Sequence, residues 1–289
     1  MNFSGFKFLS IALKIIAGAF LTYAVVFSLV GTIAIVWVYC SIMAPIHQVE
    51  FLLDHNPKET AYMRQYKHDL NEKGVPDSLY QVFVPLSSIS KSLRYSVIAA
   101  EDDGFYTHPG FDIEAMLGAY EYNRSHNKIA RGGSTITQQL AKNLFLTNEK
   151  SFMRKLKELG YTVLLEKYLD KDRILELYLN YAQWGDNIFG CEAASLRYYK
   201  KTCARLTLGE ATRLAASLVS PERLTPLNEN GFLHKRIDVI ANNLYKKHLV
   251  NDSDFIGAFG FKPSNDSAAS AVPAKKDTLI SLTKRRAFF

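Results

Sequence analysis

The sequence predicts a mainly α protein: a helical domain carried behind a single N-terminal membrane-spanning helix. Three observations predict it. Residues 15–39, "IIAGAFLTYAVVFSLVGTIAIVWVY", hold no charge, and about 25 helical residues at roughly 1.5 Å each outrun the bilayer hydrocarbon of about 30 Å. From about Leu86 to residue 250 the apolar residues recur at helical spacing. No alternating strand pattern recurs, apart from a short candidate at "YQVFVPL". With 289 residues and 48% hydrophobic content, the chain can bury a substantial core and is not of disordered composition.

Residues 1–14 carry Lys7 and Lys14, whereas Glu50 and Asp54 follow the apolar run. The positive-inside rule therefore puts the N-terminus in the cytoplasm and the remainder outside. A cleaved signal peptide is the competing reading, but its apolar region would be shorter and end in small residues, which "WVYCSIM" does not offer. Residues 15–39 are accordingly expected to be a retained anchor. Residues 46–80 are mixed and polar, with loop signals at "HNPKET" and "NEKGVPDS", and residues 40–85 read as a juxtamembrane linker. Residues 86–250 form one helical domain, and 251–289, rich in small and polar residues, read as a tail. The net charge of +7 favours acidic partners. Nucleic acid is excluded among them, because the basic residues are expected outside the membrane and follow no nucleic-acid-binding motif. Cys191 and Cys203 fall in the external part; a disulfide is chemically open there, small packing residues are the simpler reading, and their spacing makes no metal motif.

Three stretches carry candidate chemistry. In "AEDDGFYTHPGFD", residues 100–112, Glu101 continues an apolar stripe from Leu93 and Val97, and Gly104 ends the helical pattern. Glu101, Asp102 and Asp103 are thus expected in the last turn, where the macrodipole disfavours carboxylates. Apolar neighbours and adjacent acids there raise a carboxylate pKa. In "RGGSTITQQLAKNLFL", Gly132 and Gly133 precede Ser134 and Thr135, and Thr135 with Gln138 spells a capping box. On spacing alone that is a well-started helix, whose glycine-flanked N-terminus also exposes backbone N–H groups suited to phosphate; Gln138 and Lys142 would share one of its faces. In "KSFMRKLKELGYTVLLEKY", Phe152, Leu156, Leu159 and Val163 form an apolar stripe, and Arg154 and Lys155, four and three residues before Glu158, are expected to set two cations beside its carboxylate. The dense Lys150, Arg154, Lys155 and Lys157 group is either a solvated face or an anion site. Two carboxylates in opposite environments are the pattern of an acid/base site, and nearby cations suit a phosphate leaving group.

The stretch "EDDGFYTHPGFD" fits E-D-x-x-F-x-x-H-x-G-x-D and is followed in order by "GGSTITQQLAKN", "RKLKE" and "ILELYLN". Together these resemble the peptidoglycan glycosyltransferase family, whose members are monofunctional transglycosylases or modules of bifunctional penicillin-binding proteins. The resemblance implies a lysozyme-like helical domain on the outer face of the bacterial cytoplasmic membrane. Its reaction would polymerise lipid II by inverting transfer, releasing undecaprenyl pyrophosphate. Glu101 falls on the family's catalytic base, and Glu158 on its second essential glutamate, which acts on the pyrophosphate directly or through a divalent metal, Mg²⁺ or Mn²⁺. No organic cofactor is implied. Lys142, Lys150, Arg154, Lys155 and Lys157 match or adjoin the pyrophosphate contacts, and Ser134, Gln138 and Gln139 match the polar lining. Asp102 and His108 match the first motif, either beside the substrate or as residues that hold the loop together. Ile113, Met116, Leu117 and Tyr120 are core residues or partial lipid contacts. Implied partners are lipid II, the growing strand, the bilayer and other cell-wall synthases. Trp184, Tyr199 and "SPERLTPL" depart from the family pattern and bear on substrate geometry. No S-x-x-K follows residue 250, so a monofunctional enzyme is expected. A lytic enzyme of similar fold and a silent membrane scaffold are the rival readings; the cation cluster argues against the first, both glutamates against the second.

Overall fold

The structure, a computed structural model, describes residues 3–125, 132–149 and 151–263. The chain divides into two units, Met1–His55 and Asn56–Phe289.

The first unit is one helix, α1 (Phe3–Glu50), followed by a single 3-10 turn at Phe51–Leu53. Its segment Leu13–Val36, 24 residues of mean hydropathy 2.2, is long and apolar enough to cross a membrane. Apolar side chains cover its surface, Phe20 and Ile35 among them. Thr22 and Thr32 donate back to the carbonyls of Gly18 and Ser28 at 2.8 and 2.9 Å, so neither hydroxyl needs water. The helix overruns the expected 15–39 at both ends because hydropathy marks the span, whereas a helix ends only where its backbone is capped or broken; even Pro45 lies inside it.

In the second unit the expected linker 40–85 needs correction. From Asn56 onward it belongs to the folded unit. Thr60 caps α2 (Ala61–Glu72) by accepting from the Met63 N–H at 3.1 Å, and Met63 and Leu70 are buried. The strand β1 (Tyr80–Gln81) pairs parallel with β3 (Ile188–Phe189), which pairs antiparallel with β2 (Gln183–Gly185), so that β3 is central. Strands this short leave no alternation to read. The α2 segment reads as polar because only two of its side chains turn fully inward.

The remaining helices are α3 (Lys91–Glu101), α4 (Ile113–Ser125), α5 (Ile136–Phe145), α6 (Phe152–Tyr168), α7 (Lys171–Tyr181), α8 (Cys191–Tyr199), α9 (Leu208–Ser217), α10 (Gly231–Lys246) and α11 (Asp252–Phe259). Helix α5 packs against α2, α6 and α7, while α3, α9 and α10 pack on one another. Leu93, Val97, Ile136, Leu140, Leu214 and Leu233 are fully buried in this core. Capping boxes start α5 at Thr135 with Gln138 and α9 at Thr207 with Glu210, as the spelling predicts. On α7, Glu176 and Asn180 hold the segment after β1: Asn180 accepts from the Val84 N–H and donates to its carbonyl, both at 2.9 Å, and Glu176 accepts from the Leu86 N–H at 2.6 Å.

Two further expectations are corrected. The tail predicted from 251 begins later, since Asn251 caps α11 through the Asp254 N–H at 2.8 Å and Gly260, at φ +73°, ends it. Phe255 anchors that helix edge-on against Tyr245, with ring centroids 5.6 Å apart. One buried aromatic in a polar run carries no periodic signal. The ending "TKRRAFF" lies outside the described residues. Helix α6 faces opposite to its apolar stripe: Phe152, Leu156 and Val163 are exposed, whereas Glu158, Thr162 and Leu165 are buried. The four candidates on α4, Ile113, Met116, Leu117 and Tyr120, are exposed as well and are not core.

Candidate active site

The site is organised by the end of α3. Asp102 leaves helical geometry (φ −161°, ψ 75°), so only Glu101 stays in the last turn, and Asp103 sits in the turn beyond. Asp102 is buried, and both of its oxygens are engaged. Oδ2 accepts from the N–H of Ile136, the first residue of α5, at 2.9 Å, and Oδ1 accepts from His108 Nε2 at 2.7 Å. The Gly110 N–H donates to His108 Nδ1 at 3.1 Å, which leaves the ring proton on Nε2. Burial raises the Asp102 pKa, against the opposing effect of His108 and the Ile136 N–H. Gly110 lies at φ +89°, and a Cβ there would come within 2.7 Å of Glu166 Cγ, so the loop closes only on glycine. The Gly110 carbonyl accepts from Thr135 Oγ1 at 2.7 Å. The loop from Asp102 to Gly110 is therefore a clasp on the start of α5.

That clasp sets Gln139, one turn into α5, against Glu101. Gln139 Nε2 donates to Glu101 Oε2 at 3.0 Å, and Tyr178 donates its hydroxyl to Gln139 Oε1 at 3.0 Å, which fixes the amide's orientation. From α10, Arg236 Nη2 lies 3.4 Å from Glu101 Oε1. Withdrawal from water raises the Glu101 pKa; Gln139 and Arg236 oppose that rise, and Asp102 adds to it. A carboxylate so held is basic, oriented and still 14% exposed.

Glu101, Gln139 and Lys142 line one cleft of about 460 Å³. Burial lowers the Lys142 pKa, Glu158 opposes that, and Arg154 and Lys155 reinforce it. Glu158 is itself buried on α6, with Arg154 Nη1 2.7 Å from Oε2 and Lys155 Nζ on Oε1. Helix α5 thus joins the two glutamates, Gln139 touching one and Lys142 facing the charge of the other. Among the described residues, the other expected ones are not part of this cleft's lining. Ser134 is exposed before α5, Gln138 is buried as the reciprocal half of the capping box, and Asp102 belongs to the clasp. Lys157 is exposed on α6, and Lys150 lies outside the described residues.

A divalent cation does not fit at Glu158. Both carboxylate oxygens are taken by cations, whose charge repels a metal. Among the described residues, three potential ligands gather at His68, Asp69 and Glu72, on α2 and away from the cleft lining.

Tyr62 and Gln183, which also line the cleft, were not legible in the sequence. Tyr62 on α2 donates to Gln183 Oε1 at 2.8 Å, and Gln183 Nε2 lies 3.4 Å from Glu222 Oε1; all three line the cleft. Ser220, Pro221 and Glu222 come from "SPERLTPL", so that departure from the family pattern does bear on the cleft. Trp184 and Tyr199 do not: their polar atoms bond the backbone carbonyls of Leu179 and Glu210. Arg236 was also missed. Its one signal was a cation beside the buried α10 positions Leu233, Ile237 and Ile240.

A family model described as transglycosylase matches residues 69–245. The chain is 41% identical over 202 residues to a biosynthetic peptidoglycan transglycosylase of Herminiimonas arsenicoxydans, covering 70% of this chain and 87% of that protein. It is 43% identical over 194 residues to a protein of the same name from Ralstonia nicotianae, covering 65% and 83%. A third such protein, from Burkholderia cenocepacia, is 42% identical over 197 residues, covering 68% and 80%.

Proposed function

The chain belongs to the transglycosylase family, and from that premise we propose that it polymerises lipid II into linear glycan strands, releasing undecaprenyl pyrophosphate, with Glu101 as general base. It is a peptidoglycan glycosyltransferase with the family's lysozyme-like helical fold. The observation that carries the mechanism is the shared cleft: a desolvated, oriented carboxylate on one helix and a half-buried ammonium one turn from its partner glutamine.

Glu101 takes the proton from the acceptor sugar's 4-hydroxyl as that oxygen attacks the donor's anomeric carbon. Desolvation favours the step, because a carboxylate stripped of water gains more on becoming neutral. The Gln139 amide and Arg236 hold its oxygens in place, so no reorientation is required at the moment of transfer. The C–O bond to the pyrophosphate breaks on the opposite face, which gives inversion. Lys142 receives the developing negative charge, and Glu158 keeps Arg154 and Lys155 at that end of the site.

The apolar helix Leu13–Val36 supports a single-pass anchor in the cytoplasmic membrane, and Lys7 and Lys14 before it support a cytoplasmic N-terminus. The second unit then works on the outer, periplasmic side. The exposed apolar residues of α4 and α6 suit contact with the lipid that carries the substrate. A hydrolase that cuts glycan has no use for the Lys142, Arg154 and Lys155 cations.

The test is incubation of the purified full-length protein with labelled lipid II, beside Glu101→Gln and Glu158→Gln. Wild type is expected to give glycan polymer, and Glu101→Gln to lose about 10²–10⁴-fold. Soluble fragments from cell-wall sacculi, with no polymer from lipid II, would replace this reading by a lytic one. Undiminished polymerisation by Glu101→Gln would remove the base.

A further inference from the structure

Cys191 and Cys203 are the only cysteines of the second unit, and both are fully buried as thiols. They meet because of how α8 begins and ends. Gly190, at φ +82°, starts the helix, and a Cβ there would come within 2.8 Å of the Asn180 carbonyl oxygen, so the entry to Cys191 is fixed. Lys200, in the left-handed region at φ +57°, ends the helix and turns the chain back. Ser195 Oγ then donates to the Lys201 carbonyl at 2.7 Å, and the Cys203 N–H donates to the Glu192 carboxylate at 2.7 Å. These bonds lay the 3-10 turn Cys203–Arg205 against the first turn of α8, beside Cys191, and Cys203 Sγ donates to the Ser88 carbonyl at 3.6 Å.

We propose that Cys191 and Cys203 form a structural disulfide in the mature protein, closing the loop from the start of α8 to the turn at Cys203. The proposal rests on the placement of the second unit outside the cytoplasmic membrane, where disulfides persist, and not on the transfer reaction. One Sγ–Sγ bond forms, and two electrons and two protons pass to a disulfide-bearing thiol oxidoreductase of that compartment, which leaves as its dithiol. The exchange runs through a mixed disulfide, so it needs an accessible thiolate. In the folded unit neither sulfur is accessible, and the Cys191 thiol together with burial pushes the Cys203 thiol far above its usual range. The bond therefore closes during folding, before α8 packs, and reductant does not reach it in the native protein.

The experiment uses the full-length chain carrying Cys40→Ser, so that only this pair can react, made in a bacterium and exported normally. Cells are quenched in acid, denatured and treated with a maleimide-polyethylene glycol, with and without prior reduction. The expected result is no gel shift without reduction and a double shift after it. Cys191→Ala in the same background should give a single shift without reduction. Reduction under denaturing conditions and refolding should lower the melting temperature by roughly 5–10 °C. A double shift without prior reduction would overturn the proposal. Protease added to spheroplasts in parallel should digest the second unit; protection until the membrane is broken would overturn the placement and the bond with it, while leaving the lipid II assay to judge the reaction.

Discussion

Arg236 Nη2 lies 3.4 Å from Glu101 Oε1, although the two residues stand 135 positions apart in the chain. The guanidinium also donates through Nε to the Ala216 carbonyl at 3.1 Å, so it links α10, the end of α9 and the end of α3. Among the described residues it is a cation that acts on the Glu101 carboxylate from outside the sequence motifs.

Arg236 opposes the rise in the Glu101 pKa. Arg236→Met should therefore move the acid limb of the kcat/KM profile for lipid II polymerisation to higher pH, while Arg236→Lys restores it in part. Loss of activity by a constant factor at every pH would instead make Arg236 a packing residue.

Glu101 is pushed up and Lys142 down, each chiefly by burial. The ionised base and the protonated lysine coexist over a band narrower than the about 6 units that separate ordinary Glu and Lys. A narrow bell-shaped pH profile is expected. Lys142→Arg keeps its charge beyond about pH 12 and should extend the alkaline limb, leaving the acid limb in place. Profiles of kcat/KM against pH for both proteins decide this.

Asp102 accepts from His108 and from the first N–H of α5 while almost fully buried. His108→Ala leaves that carboxylate without the imidazole N–H it accepts from and should cost about 1.5–3 kcal/mol of stability. Denaturant unfolding of the variant measures it. If the stability is unchanged and only KM rises, His108 binds substrate and the clasp is wrong.

Phe152 and Leu156 point outward from α6, whereas Thr162, on the same helix, is buried and donates to the Glu158 carbonyl at 2.7 Å. Leu156→Ser should shift unfolding stability by no more than about 0.5 kcal/mol. Its polymerisation of lipid II in liposomes should fall more than with a short-chain analogue in solution. Equal loss on both substrates would separate α6 from the lipid.

The three acids at 101–103 show how far the sequence could be read. Glu101 was legible because Leu93 and Val97 set its face, and both are fully buried. Its division of labour with Asp102 was not, since that depends on one backbone departure at the helix end and on a histidine six residues away. The α6 stripe misled for a physical reason. Period alone cannot tell a core face from an exposed apolar one, and here the buried side carries a glutamate made tolerable by two cations.

By itself the sequence determined what is local or compositional: the long apolar helix, the capping boxes at Thr135 and Thr207, the cations beside Glu158 and the motif order that marks the family. These follow from neighbours within one or two helical turns. Only the tertiary structure decided which groups surround Glu101. Gln139 and Arg236 reach it from two other helices, Tyr178 fixes Gln139 from a third, and Tyr62, Gln183 and Glu222 line the same cleft. Desolvation, which raises its pKa most, is a property of the packed site and has no counterpart in the one-dimensional pattern.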